Sequence, residues 1–257
     1  MKYSCVNFRG VLRRGKSAFR KAVSAVFFPD SCAVCGGVAY GKPLCGKCRE
    51  SLLKEAAQNC NERRCEACGK RLLSEEGMCM QCRAEEAPSK KLDGIRPVFP
   101  YLLRKKKLLY VWKITGKKSL TPFFAECVEK VYTHDFRGLP VVPVPPRPGK
   151  IRSNGWDQTD SLTKEFCAKN KVKALHLLLR TSGQQQKKLG RRERLSGSGQ
   201  YVASKRLIEM KDEDKPRHVV LIDDVMTTGS TLFRCASVLK KYGIEKVSAM
   251  TLFNVPS

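Results

Sequence analysis

One stretch constrains this 257-residue chain more than any other: Val219-Val220-Leu221-Ile222-Asp223-Asp224-Val225-Met226-Thr227-Thr228-Gly229-Ser230-Thr231-Leu232. Its apolar run ends in two adjacent carboxylates, and a loop of hydroxyls with one glycine follows. Leu232, Cys235, Ala236 and Leu239 then recur at helical spacing. The order reads as strand, loop, helix, with the loop outside the carboxyl end of a strand, where open α/β sheets bind ligands. Free N–H groups and the positive end of the following helix favour an anion such as phosphate. Gly229 lets the backbone approach closely, and Thr227, Thr228, Ser230 and Thr231 bring hydroxyl donors. Two carboxylates beside such a nest repel its ligand unless they face something else, such as sugar hydroxyls or a bridging metal ion. Piece by piece, the same residues make a buried strand, a hydroxyl N-cap and two solvated aspartates.

The N-terminal half is organised by cysteine. Eight of the 13 cysteines form four C-x-x-C pairs: Cys32/Cys35, Cys45/Cys48, Cys65/Cys68 and Cys79/Cys82. Nine residues separate the first two pairs and ten the last two. Cys35-Gly36 and Cys68-Gly69 share a knuckle in which glycine turns backbone N–H groups toward a metal-bound thiolate. Tetrahedral sulfur coordination suits this spacing, and soft thiolates select zinc over hard cations. Two related modules, each too small to hold a core without a staple, imply two sites, wired within each half or interleaved. Rubredoxin-like iron asks for the same ligands, and disulfides of a secreted domain are the remaining alternative. Cys5, Cys60, Cys127, Cys167 and Cys235 have no partner at ligand spacing, and the last three fall in helical patterns expected to bury them.

A hydrophobic content of 42%, in short runs that alternate with helical patterns, indicates a globular α/β chain. No run approaches the ~18 apolar residues of a membrane span. Phe8, Val11, Leu12, Phe19, Ala22, Val23 and Val26 share one helical face ringed by Arg13, Arg14, Lys16, Arg20 and Lys21. A docked amphipathic helix is expected over 1–30, with a membrane-surface helix as the sharper alternative. The expected location is cytoplasmic.

The strand–loop–helix stretch resembles the phosphoribosyl pyrophosphate (PRPP) motif of type I phosphoribosyltransferases: hydrophobic strand, acidic pair, then T-T-G-x-T. The resemblance implies that Asp223 and Asp224 hold ribose hydroxyls, that Thr227, Thr228, Gly229, Ser230 and Thr231 hold the 5′-phosphate, and that Mg²⁺ accompanies PRPP. Further segments widen it. Leu92 to Tyr101 resembles the opening strand of the competence protein F (ComF) family, and Lys113-Ile114-Thr115-Gly116 its lK-f-G segment. Val141 to Pro145 resembles V-P-V-P, Arg152 to Gln158 resembles R-x-R-G-F-N-Q, and Arg180 to Arg194 resembles R-x-T-x-x-Q-x-x-L-x-x-x-x-R. Trp156-Asp157 departs from the commoner Phe-Asn, which places a charge where a neutral amide is usual. The order of helix, C-x-x-C pairs and transferase domain is that family's.

The family implies a mostly parallel sheet flanked by helices, with strands at Val141–Val144, Leu175–Leu179, Val219–Asp223 and Lys246–Leu252. The domains expected are 1–30, a double zinc-ribbon-like region over 31–92, and a phosphoribosyltransferase-like domain over 93–257. Pro143 and the closing Pro145 suit an edge strand or a strand ending in an unusual loop. The loop 145–150 is rigid and basic; by resemblance Arg147 and Lys150 contact pyrophosphate. By resemblance the polar segment 181–199 is a loop that closes over the leaving pyrophosphate, with Arg191 and Arg192 in catalytic roles; a solvated charged linker is the alternative reading of the same residues.

Lysine and arginine number 50 against 24 acids, a net charge of +26, more than one small anionic ligand requires. The densest cluster, Arg104, Lys105, Lys106 and Lys107, lies near Tyr101, Tyr110 and Trp112, aromatics placed to stack on bases of single-stranded DNA or to serve as core. Three functions follow: a PRPP-dependent phosphoribosyltransferase linked to DNA uptake or nucleotide salvage, a single-stranded-DNA-binding module with a vestigial pocket, or a zinc-based scaffold for a competence helicase. The two enzyme-free readings predict salt-sensitive DNA binding or chelation-sensitive partner binding.

Overall fold

A computed structural model describes residues 31–84, 92–181 and 200–255. The helix expected over 1–30, Cys5, and Arg191 and Arg192 with the segment around them lie outside the described residues. The chain divides into two compact units, Met1–Ser51 and Leu52–Ser257.

In the first unit, Gly36 at φ +76° turns the Cys32–Cys35 knuckle. Its N–H donates to the Cys32 carbonyl at 2.9 Å, and the Cys32 N–H to Gly37 at 2.7 Å. The helix α1, Gly46–Cys60, begins directly after Cys45.

The second unit is built on a four-stranded parallel sheet in the order β1-β6-β5-β2, with β1 Ile95–Pro100, β2 Val141–Pro143, β5 His218–Met226 and β6 Lys246–Asn254. The two central strands are near-continuous apolar runs, as a sheet covered on both faces requires. The proline-bearing strands β1 and β2 take the edges, where a missing N–H breaks no ladder. Four helices of some length accompany the sheet: α2 Leu103–Lys113, α3 Thr121–Asp135, α4 Gln158–Asn170 and α5 Ser230–Lys241. Leu232, Cys235, Ala236, Val238 and Leu239 of α5 bury against Val219, Leu221, Val247 and Ala249. The helices α3 and α4 pack on each other and against the sheet, around Phe124 and Phe166, both fully buried.

Two expectations shift. The strand expected at Leu175–Leu179 does not join the main sheet as a strand. Leu175 N–H bonds the Val141 carbonyl at 2.8 Å, after which the chain leaves that edge. Leu178–Arg180 (β3) pairs antiparallel with Tyr201–Ala203 (β4) in a separate two-stranded sheet. The apolar run is continuous because Leu175, Leu177 and Leu178 all join the core beneath α5 while crossing between sheets. The strand expected to stop at Asp223 runs on to Met226, since Val225 and Met226 keep pairing with Phe253 and Asn254.

Candidate functional site

A cleft of about 740 Å³ opens around the carboxyl end of β5, lined by Asp223, Asp224, Thr231, Arg147, Lys150 and Arg180 among others. Successive residues of a strand point to opposite faces, yet both aspartates line this cleft because it surrounds the strand's end. Asp223 Oδ1 accepts the Asp224 N–H at 2.8 Å and the Thr159 hydroxyl at 3.4 Å. Burial, reinforced by the neighbouring Asp224 charge, pushes the Asp223 carboxyl up to about 8. Asp224 is buried, and its Oδ2 forms an ion pair with Lys113 Nζ at 2.6 Å. The acidic pair thus sets a carboxyl shifted toward its protonated form beside a carboxylate paired with an ammonium.

The loop after β5 turns at Gly229, φ +73°, the N-cap of α5. A Cβ there would meet Phe233 carbons at 2.7 and 2.9 Å, so this position requires glycine. Of the hydroxyl residues, Thr231 lines the cleft together with the buried Tyr201. Thr227, Thr228 and Ser230 are exposed at the helix start, where the Thr228 hydroxyl accepts the Ser230 N–H at 3.4 Å.

Arg147 lines the opposite wall and is exposed. Lys150 lines it too, but its ammonium is held by Asp157 at 2.6 Å and by the Gln158 side chain. Asp157, 3% exposed, also caps α4 by accepting the Asp160 N–H at 2.9 Å. The charge that departs from the family pattern thus has a local task. Several lining residues were not singled out as site residues from sequence, among them Lys113, Thr159, Arg180 and Tyr201. Lys113 stood in the lK-f-G segment and in a basic run, which concealed its place here. Tyr201 carries the guanidinium of Arg180 over its ring at 5.3 Å, and no sequence signal marked it.

The eight paired cysteines form two clusters, Cys32-Cys35-Cys45-Cys48 and Cys65-Cys68-Cys79-Cys82, each with its sulfurs within 4.8 Å of one another. Neighbouring pairs therefore share a site, and interleaving is ruled out. Cys35 and Cys45 Sγ lie 3.8 Å apart, as do Cys68 and Cys79. A tetrahedron with Zn–S arms of about 2.3 Å has edges of about 3.8 Å, so the residues fit two structural zinc ions. In the first cluster burial opposes ionisation of Cys32, but N–H groups of Cys35, Cys45 and Val34 overcome it and lower the thiol to about 6. Burial and its sulfur neighbours push Cys48 up to about 12. Without a cation the Cys32 thiolate is favoured while Cys48 is held protonated, and the Cys65 thiolate is favoured while Cys68 and Cys82 are held protonated. All the cysteines in the described residues are free thiols, and Cys127, Cys167 and Cys235 are buried as expected.

The basic cluster divides. Lys105 turns inward, 9% exposed, pairing with Glu55 and lying over the Phe99 ring at 5.6 Å. Lys106 and Lys107 remain exposed, Lys106 over the Tyr101 ring at 5.4 Å; the side chain of Arg104 is outside the described residues. Trp112 is not a stacking platform. It is fully buried, donates its indole N–H to the Thr121 hydroxyl at 3.0 Å and packs on Phe124. Tyr110 is exposed beside Lys106 and Lys107 on α2.

Residues 23–83 match the double zinc ribbon domain, and residues 181–257 the phosphoribosyl transferase domain. A 49-residue stretch is 41% identical to ribose-phosphate pyrophosphokinase 3, chloroplastic, of Arabidopsis thaliana, covering 19% of this chain and 12% of that protein. A 45-residue stretch is 44% identical to the chloroplastic pyrophosphokinase 3 of Oryza sativa subsp. japonica, 17% of this chain and 11% of that one. The mitochondrial pyrophosphokinase 3 of Spinacia oleracea is likewise 44% identical over 45 residues. The matched stretches thus span only about a tenth of those relatives' length. Among the described residues no helix is long and apolar enough to cross a membrane. A double zinc ribbon followed by a type I phosphoribosyltransferase domain matches the ComF-like architecture.

Proposed function

We propose that this ComF-like chain binds PRPP, or a related ribose 5-phosphate, in the cleft at the end of β5 and acts as a phosphoribosyltransferase. The observation that carries the reading is the juxtaposition of Asp223 and Asp224 with a phosphate-sized loop whose turn only glycine can make. The short likeness to proteins named ribose-phosphate pyrophosphokinases supports a ribose phosphate ligand. On this reading residues 31–92 form the metal-binding region and 93–257 the transferase-like domain.

Ribose hydroxyls would donate to Asp223 and Asp224, and the 5′-phosphate would take the N–H groups of 229–231 with the hydroxyls of Thr227, Thr228, Ser230 and Thr231. Arg147 and Arg180 would face the pyrophosphate, and Lys150 would join them on release from Asp157. Carboxylates and phosphate oxygens are the hard donors Mg²⁺ prefers, and the ion would supply neutralisation of the pyrophosphate. In the transfer, the C1–O bond breaks as the bond from C1 to the acceptor forms, and the electron pair leaves with pyrophosphate. Cations preorganised in the cleft stabilise that charge without proton transfer.

Calorimetric titration of PRPP with Mg²⁺ tests the reading against an Asp223→Asn/Asp224→Asn variant. Micromolar binding lost in the variant supports it; no binding by the unaltered protein overturns it. A second reading, single-stranded-DNA handling in DNA uptake, is favoured by exposed Lys106, Lys107 and Tyr110 on one helix of a chain with net charge +26. Cytoplasmic residence is part of the proposal and is supported by eight cysteines grouped as metal ligands would be rather than as disulfides.

A further inference from the structure

The second cysteine cluster connects to the sugar-phosphate loop by a short run of hydrogen bonds. The carbonyl of Cys68 accepts from Asn254 Nδ2 at 3.0 Å. Asn254, 8% exposed, ends β6 and pairs with Met226, which ends β5. Val255 N–H then donates to the Met226 carbonyl at 2.9 Å. Thr227 is the next residue. One side-chain hydrogen bond and one rung of the parallel ladder thus separate a metal ligand from the start of the loop.

The knuckle itself sits against β1 with no slack. A Cβ on Gly69 would meet Pro97 Cδ at 2.9 Å and Ile95 Cγ2 at 3.0 Å. The Arg64 guanidinium donates to the Gly69 carbonyl at 3.1 Å and also to the Asn59 carbonyl. Asn59 Nδ2 in turn bonds the Val98 carbonyl of β1 at 2.8 Å. Little apart from the metal ligands holds the module's interior: its buried residues are Cys65, Cys79, Cys82, Ala67 and Leu72. A module with so small an apolar core takes its order from the ion, so metal binding is folding free energy here.

We propose that Asn254 is a positioning residue through which metal occupancy of the Cys65-Cys68-Cys79-Cys82 cluster sets the geometry of the loop 227–231. Filled, the cluster holds the Cys68 carbonyl where the buried Asn254 amide needs an acceptor, and the ends of β6 and β5 stay in register. Emptied, the knuckle relaxes, the amide loses its acceptor, and the residue before Thr227 is freed. The identity of the ligand rests on the sugar-phosphate reading; the coupling does not.

The test compares four proteins: unaltered, Asn254→Leu, Cys82→Ser, and the two changes combined. Zinc content, unfolding midpoint, PRPP affinity with Mg²⁺, and amide hydrogen exchange over 224–233 are measured on each. Asn254→Leu is expected to keep both metals yet bind PRPP about tenfold more weakly, with faster exchange at 226–231. Cys82→Ser is expected to lose one metal with the same loss of affinity, and the combined protein to be no worse than either, since both cut one connection. Unchanged affinity and exchange in Asn254→Leu, or losses that simply add, would overturn the coupling. If Asn254→Leu fails to fold, Asn254→Ala, which removes the amide without adding a buried charge, replaces it. If the unaltered protein binds no PRPP, the ligand reading fails by itself and hydrogen exchange decides the coupling.

Discussion

Asp223 and Asp224 are neighbours that meet different environments, and the difference can be measured. Burial and the Asp224 charge raise the Asp223 carboxyl to about 8. A carboxyl raised in the folded state favours the protonated native form; its contribution is full below the unfolded value near ~4 and is lost as pH climbs through about 8. Asp223→Asn stays neutral throughout, so its melting temperature should gain on the unaltered protein steadily between about pH 5 and pH 8. Calorimetry across that range checks this, and an unchanging gap would refute it. Ribose hydroxyls need an acceptor, so PRPP binding near pH 7 should also release protons, seen as a dependence of the binding heat on buffer. Lys113 lies about one-third exposed against Asp224. Lys113→Met leaves a buried carboxylate unpaired and should lower stability by roughly 1–3 kcal/mol in denaturant unfolding at pH 8.

At the scale of elements, β5, its loop and α5 form one device. Its nature was legible because strand, acidic pair, glycine turn and helix follow one another without interruption from His218 to Lys241, and each signal is local. Alanine at position 229 would adopt φ +73° and press its Cβ into Phe233 at 2.7 Å. Gly229→Ala should cost about 1–3 kcal/mol and weaken PRPP binding at least tenfold, by thermal unfolding and titration respectively. The small sheet of β3 and β4 shows the converse. Leu175-His176-Leu177-Leu178-Leu179 looks like one buried strand, but whether such a run continues a ladder or crosses to another depends on its neighbours, which composition does not reveal. Edge positions were more legible: a proline removes a donor wherever it stands, so Pro143 suited an edge or a strand ending in an unusual loop, and β2 is the terminal strand of the sheet.

For the whole molecule, metal and charge are the properties to test. Complete chelation should release two zinc ions per chain, counted by atomic emission, one from each four-cysteine cluster. The exposed lysines of α2 bear on the DNA reading. Replacing Lys106 and Lys107 by glutamine should weaken single-stranded DNA and flatten the slope of log affinity against log salt by about 1.4, with PRPP binding unchanged. The same replacement at Lys105, which pairs with Glu55, should leave that slope alone and lower stability instead. By itself the sequence determined the fold class, the eight cysteines that gather into four-thiol clusters and the two adjacent carboxylates of the cleft, because those signals lie in spacings of a few residues set by helix, strand and knuckle geometry. Tertiary structure alone decided which cysteine pairs cluster together, which lysine turns inward, and that Lys113 and Tyr201 reach the cleft. It also joined Cys68 to Asn254, 186 positions away. Such contacts depend on how separated elements pack, and backbone periodicity carries no record of that.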